Sequence, residues 1–243
     1  MHMQRKLDVG AVIGRVFHIY TDQAPVLMPA AAVVFVFTGV IGGVLTSAGN
    51  GLGLIAILIR LVATMLFTGM VVELVADVQD GKRDASVGQL LRAVTPVLGS
   101  LILVGIVAGV GIVVGFILII VPGLILITVW SVAAPVVVLE RPPGLGALRR
   151  SRELVKGNGW QVFGVILVLD VVVAIIAGAI ELAGDSASTG LGIVVTVIVG
   201  VLAAPLSALA AAVLYFELRN DSAADQPDLA GPFQTGPFPP AAP

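Results

Sequence analysis

Cysteine is absent from all 243 residues. That excludes disulfides, thiolate metal sites and a cysteine nucleophile, while leaving the redox compartment open. Charge is scarce as well: Asp, Glu, Lys and Arg make up 12% of the chain, against roughly 25% in an ordinary soluble domain. The two histidines, His2 and His18, have no second ligand at metal spacing. No serine stands in an elbow motif, and Gly49-Asn50-Gly51-Leu52-Gly53 lacks the following lysine and flanking strand of a phosphate loop, so it reads as a turn. No basic stripe argues for a nucleic-acid partner. Neither catalysis nor a cofactor or metal is expected from these residues.

What is abundant is apolar sequence: 58% hydrophobic residues and a mean hydropathy of +1.10 point to a membrane-embedded chain. Its length accommodates about six spans of ~20 residues. Apolar runs lie at about 25–46, 54–78, 97–120, 124–139, 160–182 and 191–216, and each reads as a spanning helix. The fourth is the shortest, about 24 Å at ~1.5 Å per residue. The net charge of −2 matters less than its distribution. Connections at Ser47 to Gly53, Val121-Pro122-Gly123 and Ala183 to Gly190 carry no Lys or Arg, whereas twelve of the 13 basic residues fall in the remaining segments. By the positive-inside rule both termini are cytoplasmic and the chain is a multi-pass cell-membrane protein.

Three basic segments also carry helical amphipathicity. In the first, Val9, Val12, Ile13, Val16 and Tyr20 oppose Asp8, Arg15, His18 and Asp22. Those charges make it a poor signal-peptide core, so retention is expected. In the second, Val87, Leu90, Leu91 and Val94 oppose Gly88, Arg92 and Thr95, with Ser86 or Asp84 as N-cap. In the third, Ala147, Leu148, Ser151, Leu154 and Val155 oppose Arg149, Arg152, Glu153 and Lys156. Arg149, Arg150, Arg152 and Lys156 are the candidate headgroup-binding residues, each basic residue near the surface contributing on the order of 1 kcal/mol. The membrane domain is expected over 1–219. Residues 220–243, with six prolines, are expected to form a disordered cytoplasmic tail, either a solvated end or a proline-rich ligand.

The basic segments resemble one another. Val9-Gly10-Ala11-Val12-Ile13-Gly14-Arg15, Val87-Gly88-Gln89-Leu90-Leu91-Arg92 and Leu145-Gly146-Ala147-Leu148-Arg149-Arg150 each precede an outgoing and a returning span. The return spans end alike, at Val72-Glu73-Leu74, Val138-Leu139-Glu140 and Phe216-Glu217-Leu218. Either these are three units of a threefold internal repeat, or apolar sequences coincide cheaply.

Pro135 through Leu139-Glu140, Leu148 to Ser151 leading through Gly157 and Trp160-Gln161-Val162-Phe163, and Pro205 through Leu214-Tyr215-Phe216-Glu217-Leu218-Arg219 together resemble the glycerophosphoryl diester phosphodiesterase membrane-domain-like family of six-span prokaryotic integral membrane proteins. The resemblance spans nearly the whole chain except the tail. It implies a membrane module, fused in some relatives to a soluble phosphodiesterase domain that this sequence does not contain. It implies no hydrolase activity and supplies no catalytic residues.

Ionisable groups at depth are functional candidates because burying one costs ~2.5–3.5 kcal/mol even on the lenient insertion scale. Counting inward from the basic ends places Asp170 about 15 Å deep, with Thr68, Ser131 and Ser207 at similar heights. They form either a polar layer around Asp170 or separate groups that satisfy their own helices. Arg60 and Glu181 fall at about 27 and 31 Å, so they either pair near the outer surface or Arg60 snorkels alone. Small residues at Gly39 and Gly43, Gly105 and Gly109, Gly111 and Gly115, and Ala204, Ala208 and Ala212 indicate close helix approach. Pro135 and Pro205 are expected to kink spans four and six.

The expected fold class is therefore all-α: a polytopic membrane bundle of six transmembrane and three cytoplasmic amphipathic helices. The expected role is a non-catalytic module organising membrane lipids or a membrane or cytoplasmic protein partner at the cytoplasmic face, with homo-oligomerisation left open. The alternative is a small transporter or channel using the Asp170 layer.

Overall fold

The structure, a computed structural model, describes residues 7–47, 52–80, 86–184 and 189–224, and these are helical with no strand. In chain order the helices are α1 (Val9–Asp22), α2 (Ala24–Ser47), α3 (Gly53–Gln79), α4 (Val87–Val94), α5 (Leu98–Leu118), α6 (Ile120–Trp130), α7 (Ala133–Leu139), α8 (Gly146–Val155), α9 (Gly159–Gly184) and α10 (Thr189–Ala224). Five stretches are long and apolar enough to cross a membrane: Ala24–Leu45, Ile55–Gln79, Val87–Leu118, Ile120–Leu139 and Val197–Ser222. A sixth is reached if α8 and the start of α9, which meet at a 102° bend, are taken together. Of that pair, α9 is 26 residues long and apolar, and α8 is strongly amphipathic. The bend needs Gly157, whose φ of +97° lies where an L side chain is strained.

Three boundaries differ from the sequence expectation. Val121-Pro122-Gly123 is not a loop but the first turn of α6, and the reversal is made at Ile119, whose backbone is extended. Proline is tolerated there because first-turn amides have no intrahelical acceptor. The hairpin is tight: a Cβ on Gly115 would lie 3.0 Å from the Gly123 backbone nitrogen. Second, the fourth span is two helices, α6 and α7, broken at Ser131–Val132. Pro135 has no N–H to offer the carbonyl four residues back, that of Ser131, and its ring crowds that turn. Third, α10 runs on to Ala224, beyond both the expected span end at 216 and the start of the expected tail. It contains Pro205 without interruption. Residues 225–243 of that tail lie outside the described residues.

Packing follows a cyclic order. α3, α7 and α10 touch one another at the centre. Around them α2 packs on α3 and α10, α5 on α6 and less extensively on α3, and α9 on α10 and less extensively on α6. At one end the amphipathic helices form a collar in the same order, with α1 on α10, α4 on α3, and α8 on α7 and α6. Each collar helix buries its apolar face: Val12, Val16 and Ile19 on α1; Leu90 and Val94 on α4; Ala147, Leu148, Ser151, Leu154 and Val155 on α8. A buried Val or Leu there contributes about 1.5–3 kcal/mol relative to exposure to water. α1 is capped by the Asp8 carboxylate and α4 by a capping box, in which the Gln89 amide nitrogen donates to Ser86 Oγ and the Ser86 amide to Gln89 Oε1. The core is densest at this collar end, and large apolar side chains such as Val33, Ile57 and Ile117 are exposed on the flanks away from it.

Candidate functional site

The three central helices do not fill the space between them away from the collar. They leave an open cavity of about 640 Å³, with Phe35 of α2 at its edge. α3 contributes Arg60, Thr64 and Thr68, which the four-residue spacing stacks on one face. α10 contributes Gly200, Ala203, Ala204, Ser207, Ala208 and Ala211, a face too small to reach across. Ser131 and Ala134 come from the break between α6 and α7. From Arg60 to Thr68 the lining extends about 12 Å along α3. Toward the collar the same helices continue with Val71, Val75, Val137, Val138 and Tyr215, all buried, so the cavity is closed at that end.

Its chemistry is one-signed. Among the described residues Arg60 is the charged residue of the lining, no carboxylate shares it, and four hydroxyl-bearing residues, Thr64, Thr68, Ser131 and Ser207, stand with it. Thr68 Oγ1 donates to the Thr64 carbonyl at 2.9 Å and keeps its lone pairs. Ser131 Oγ is buried with no hydrogen-bond partner. An orphan of this kind costs about 1–3 kcal/mol. Among the described residues no cluster of His, Asp or Glu fits a metal ion.

Of the expected polar layer, Thr68, Ser131 and Ser207 line one cavity, whereas Asp170 does not join them. Asp170 is exposed on α9 between the exposed Val168 and Val171, and α9 lies outside the central three helices. Counting residues gives a side chain's height along the bundle axis and not its direction around it. Arg60 enters the cavity instead. The Glu181 side chain lies outside the described residues, and with it the expected Arg60–Glu181 pair. Thr64, Gly200, Ala203 and Ala211 were not singled out from sequence; the recurrence of Gly, Ala and Ser every three or four residues from Gly200 to Ala211 is the signal that marks those of α10. The alanines at 204 and 208 were expected to bring helices together, and here they hollow out the cavity.

At the collar, Glu140 ends α7 and gathers two helices: Arg150 Nε of α8 donates to its Oε2 at 2.9 Å and Tyr215 Oη of α10 to its Oε1 at 3.0 Å. Arg15 of α1 pairs with Glu217 of α10, and the charge of Arg141 acts on Glu73 of α3. Thus Glu140 and Glu217, toward the ends of two return helices, each pair with an arginine. Arg141 is held at φ 51°, a left-handed conformation costly for a side chain of its size. The Ser151 hydroxyl, fully buried, donates to the Val129 carbonyl at 2.7 Å, supplying a donor where α6 stops. Tyr20 Oη donates to the Leu202 carbonyl at 3.1 Å, and burial pushes its phenol above the usual range, keeping it a donor. Among the headgroup candidates, Arg149 pairs with Glu153 and Arg150 with Glu140 and Glu153. Arg152 and Lys156 project outward, as does Trp160, 84% exposed.

A family described as a domain of unknown function, DUF8558, matches residues 26–218. The chain belongs to that family, whose extent runs from the start of α2 into the last turns of α10 and leaves out α1. No curated protein and no solved structure matches the chain.

Proposed function

We propose that this member of the DUF8558 family is a non-catalytic cell-membrane module of six spans and threefold internal repetition, which organises anionic lipid or a partner protein at its cytoplasmic face. The cyclic packing supports the repetition: each collar helix rests on the return helix of the preceding unit, and each outgoing helix does the same. Similarity to the glycerophosphoryl diester phosphodiesterase membrane-domain-like family is consistent with a module that carries no active site of its own. The collar end is cytoplasmic in this reading, with both termini on that side, because among the described residues Arg15, Arg92, Arg141, Arg149, Arg150, Arg152, Lys156 and Arg219 belong to it.

The observation that carries the function is the division of α8. Its five apolar-face residues are buried in the bundle, while Arg149, Arg152 and Lys156 are exposed beside Trp160, an arrangement of cations and an indole suited to the headgroup level. Replacing Arg149, Arg152 and Lys156 together by glutamine tests it. The anionic phospholipid retained through purification in mild detergent should fall relative to phosphatidylcholine, each charge contributing about 1 kcal/mol. An unchanged lipid complement contradicts the proposal. The alternative of a small transporter or channel loses its convergence of hydroxyls on Asp170, and a cavity closed toward the collar gives it no continuous path.

A further inference from the structure

We propose that the cavity between α3, α7 and α10 is a binding site for a single phosphate ester, and that its ligand is the headgroup of one phospholipid from the leaflet opposite the collar. The inference concerns the other end of the molecule from the α8 surface and stands whether or not that surface binds lipid.

Three observations converge on this chemistry. First, among the described residues the lining has one permanent cation, Arg60, and no carboxylate, so the described wall of the cavity is positively charged. A monoanion neutralises it, and a phosphodiester carries one negative charge with two free oxygens that match the guanidinium fork. Second, the hydroxyl-bearing residues Thr64, Thr68 and Ser207 line the same cavity as Ser131, whose Oγ is buried in the wall without a partner. Thr64 on α3 and Ser207 on α10 can donate to a free phosphate oxygen from two sides, whereas the Thr68 proton is already given to the Thr64 carbonyl. A carboxylate also offers two oxygens to a guanidinium, and competition by palmitate separates the two. Third, the remaining wall is apolar, with Phe35, Val199, Ala203 and Ala208, and the volume of about 640 Å³ lies within the range of roughly 300–1,000 Å³ typical of small-molecule sites. Bare phosphate would leave most of it empty. A headgroup with its glycerol accounts for both the polar and the apolar wall, and its acyl chains have the exposed apolar flanks of the bundle to lie against.

Delipidated full-length protein in a nonionic detergent provides the test, with bound lipid counted by native mass spectrometry after addition of phosphatidylglycerol, glycerol 3-phosphate or palmitate. The wild-type protein should retain one phosphatidylglycerol that survives the glutamine triple variant of Arg149, Arg152 and Lys156. Arg60→Gln should weaken that binding about tenfold or more, as loss of a charge-assisted pair does, with Arg60→Lys intermediate and Ser131→Ala weaker than wild type. Competition by glycerol 3-phosphate in an Arg60-dependent manner supports the phosphate site and overturns its assignment to a lipid. Displacement by palmitate at the same concentration as phosphatidylglycerol overturns the phosphate chemistry. Equal retention by wild type and Arg60→Gln, both folded by circular dichroism, overturns the site altogether. Because loss through the α8 triple and loss through Arg60 are read separately, failure here is distinguishable from failure of the cytoplasmic-face proposal.

Discussion

Ser151 shows how one hydroxyl can hold a helix break in place. It has no exposed surface, and its hydrogen bond to the Val129 carbonyl replaces a donor that α6 loses by stopping at Trp130. Ser151→Ala leaves that carbonyl without the bond and should destabilise the fold by about 1–3 kcal/mol, read as a lowered midpoint of thermal unfolding in detergent. Asp170 is the opposite case, an ionisable residue whose position along α9 suggested a central role and whose direction denies it one. Asp170→Asn should leave unfolding unchanged, and in proteoliposomes it should leave ion flux at the level of the unsubstituted protein. Flux that disappears only in the variant would restore the transport reading.

At the scale of the helix, periodicity was the most legible feature of the sequence. All five residues assigned to the apolar face of α8 are buried, because a 3.6-residue period fixes which side chains share a side whatever the helix packs against. Ser86 as the N-cap of α4 was legible for a related reason, since its capping partner Gln89 lies three residues on. Proline was read less well. Val121-Pro122-Gly123 has the composition of a turn, yet Pro122 sits in a first helical turn, while Pro135 splits a span that reads as continuous. Which of the two happens depends on whether a neighbouring helix can approach, and here Gly115 and Gly123 let α5 and α6 nearly touch. Gly123→Val puts a side chain into the ring of Phe116, 2.6 Å from a Cβ at that position. Overpacking of this kind costs about 1–3 kcal/mol, and the variant should unfold at lower temperature than the corresponding change at Gly109, where a Cβ meets nothing within 4 Å.

For the whole molecule, charge asymmetry and mutual packing describe the same object from two sides. The amphipathic segments that sequence placed on one face of the membrane do gather into a collar at one end of the bundle, and the return helices of the proposed units do meet at its centre. The cavity was legible only in part: the heights of Thr68, Ser131 and Ser207 followed from counting, while the presence of Arg60 among them depends on rotation about α3, which continuous apolar sequence does not encode. An empty space is also written by residues that are small, and small residues signal close packing equally well. The threading of the chain underlies every one of these assignments, and a sequence without cysteine makes it directly measurable. Single substitutions Asn50→Cys, Lys82→Cys and Asp185→Cys, treated with a membrane-impermeant maleimide on intact cells, report the side on which each connection lies. Labelling of the variants at 50 and 185, with protection at 82 until the cells are opened, is the expected result; labelling at 82 with protection at the other two would show the bundle to be inverted and contradict the account.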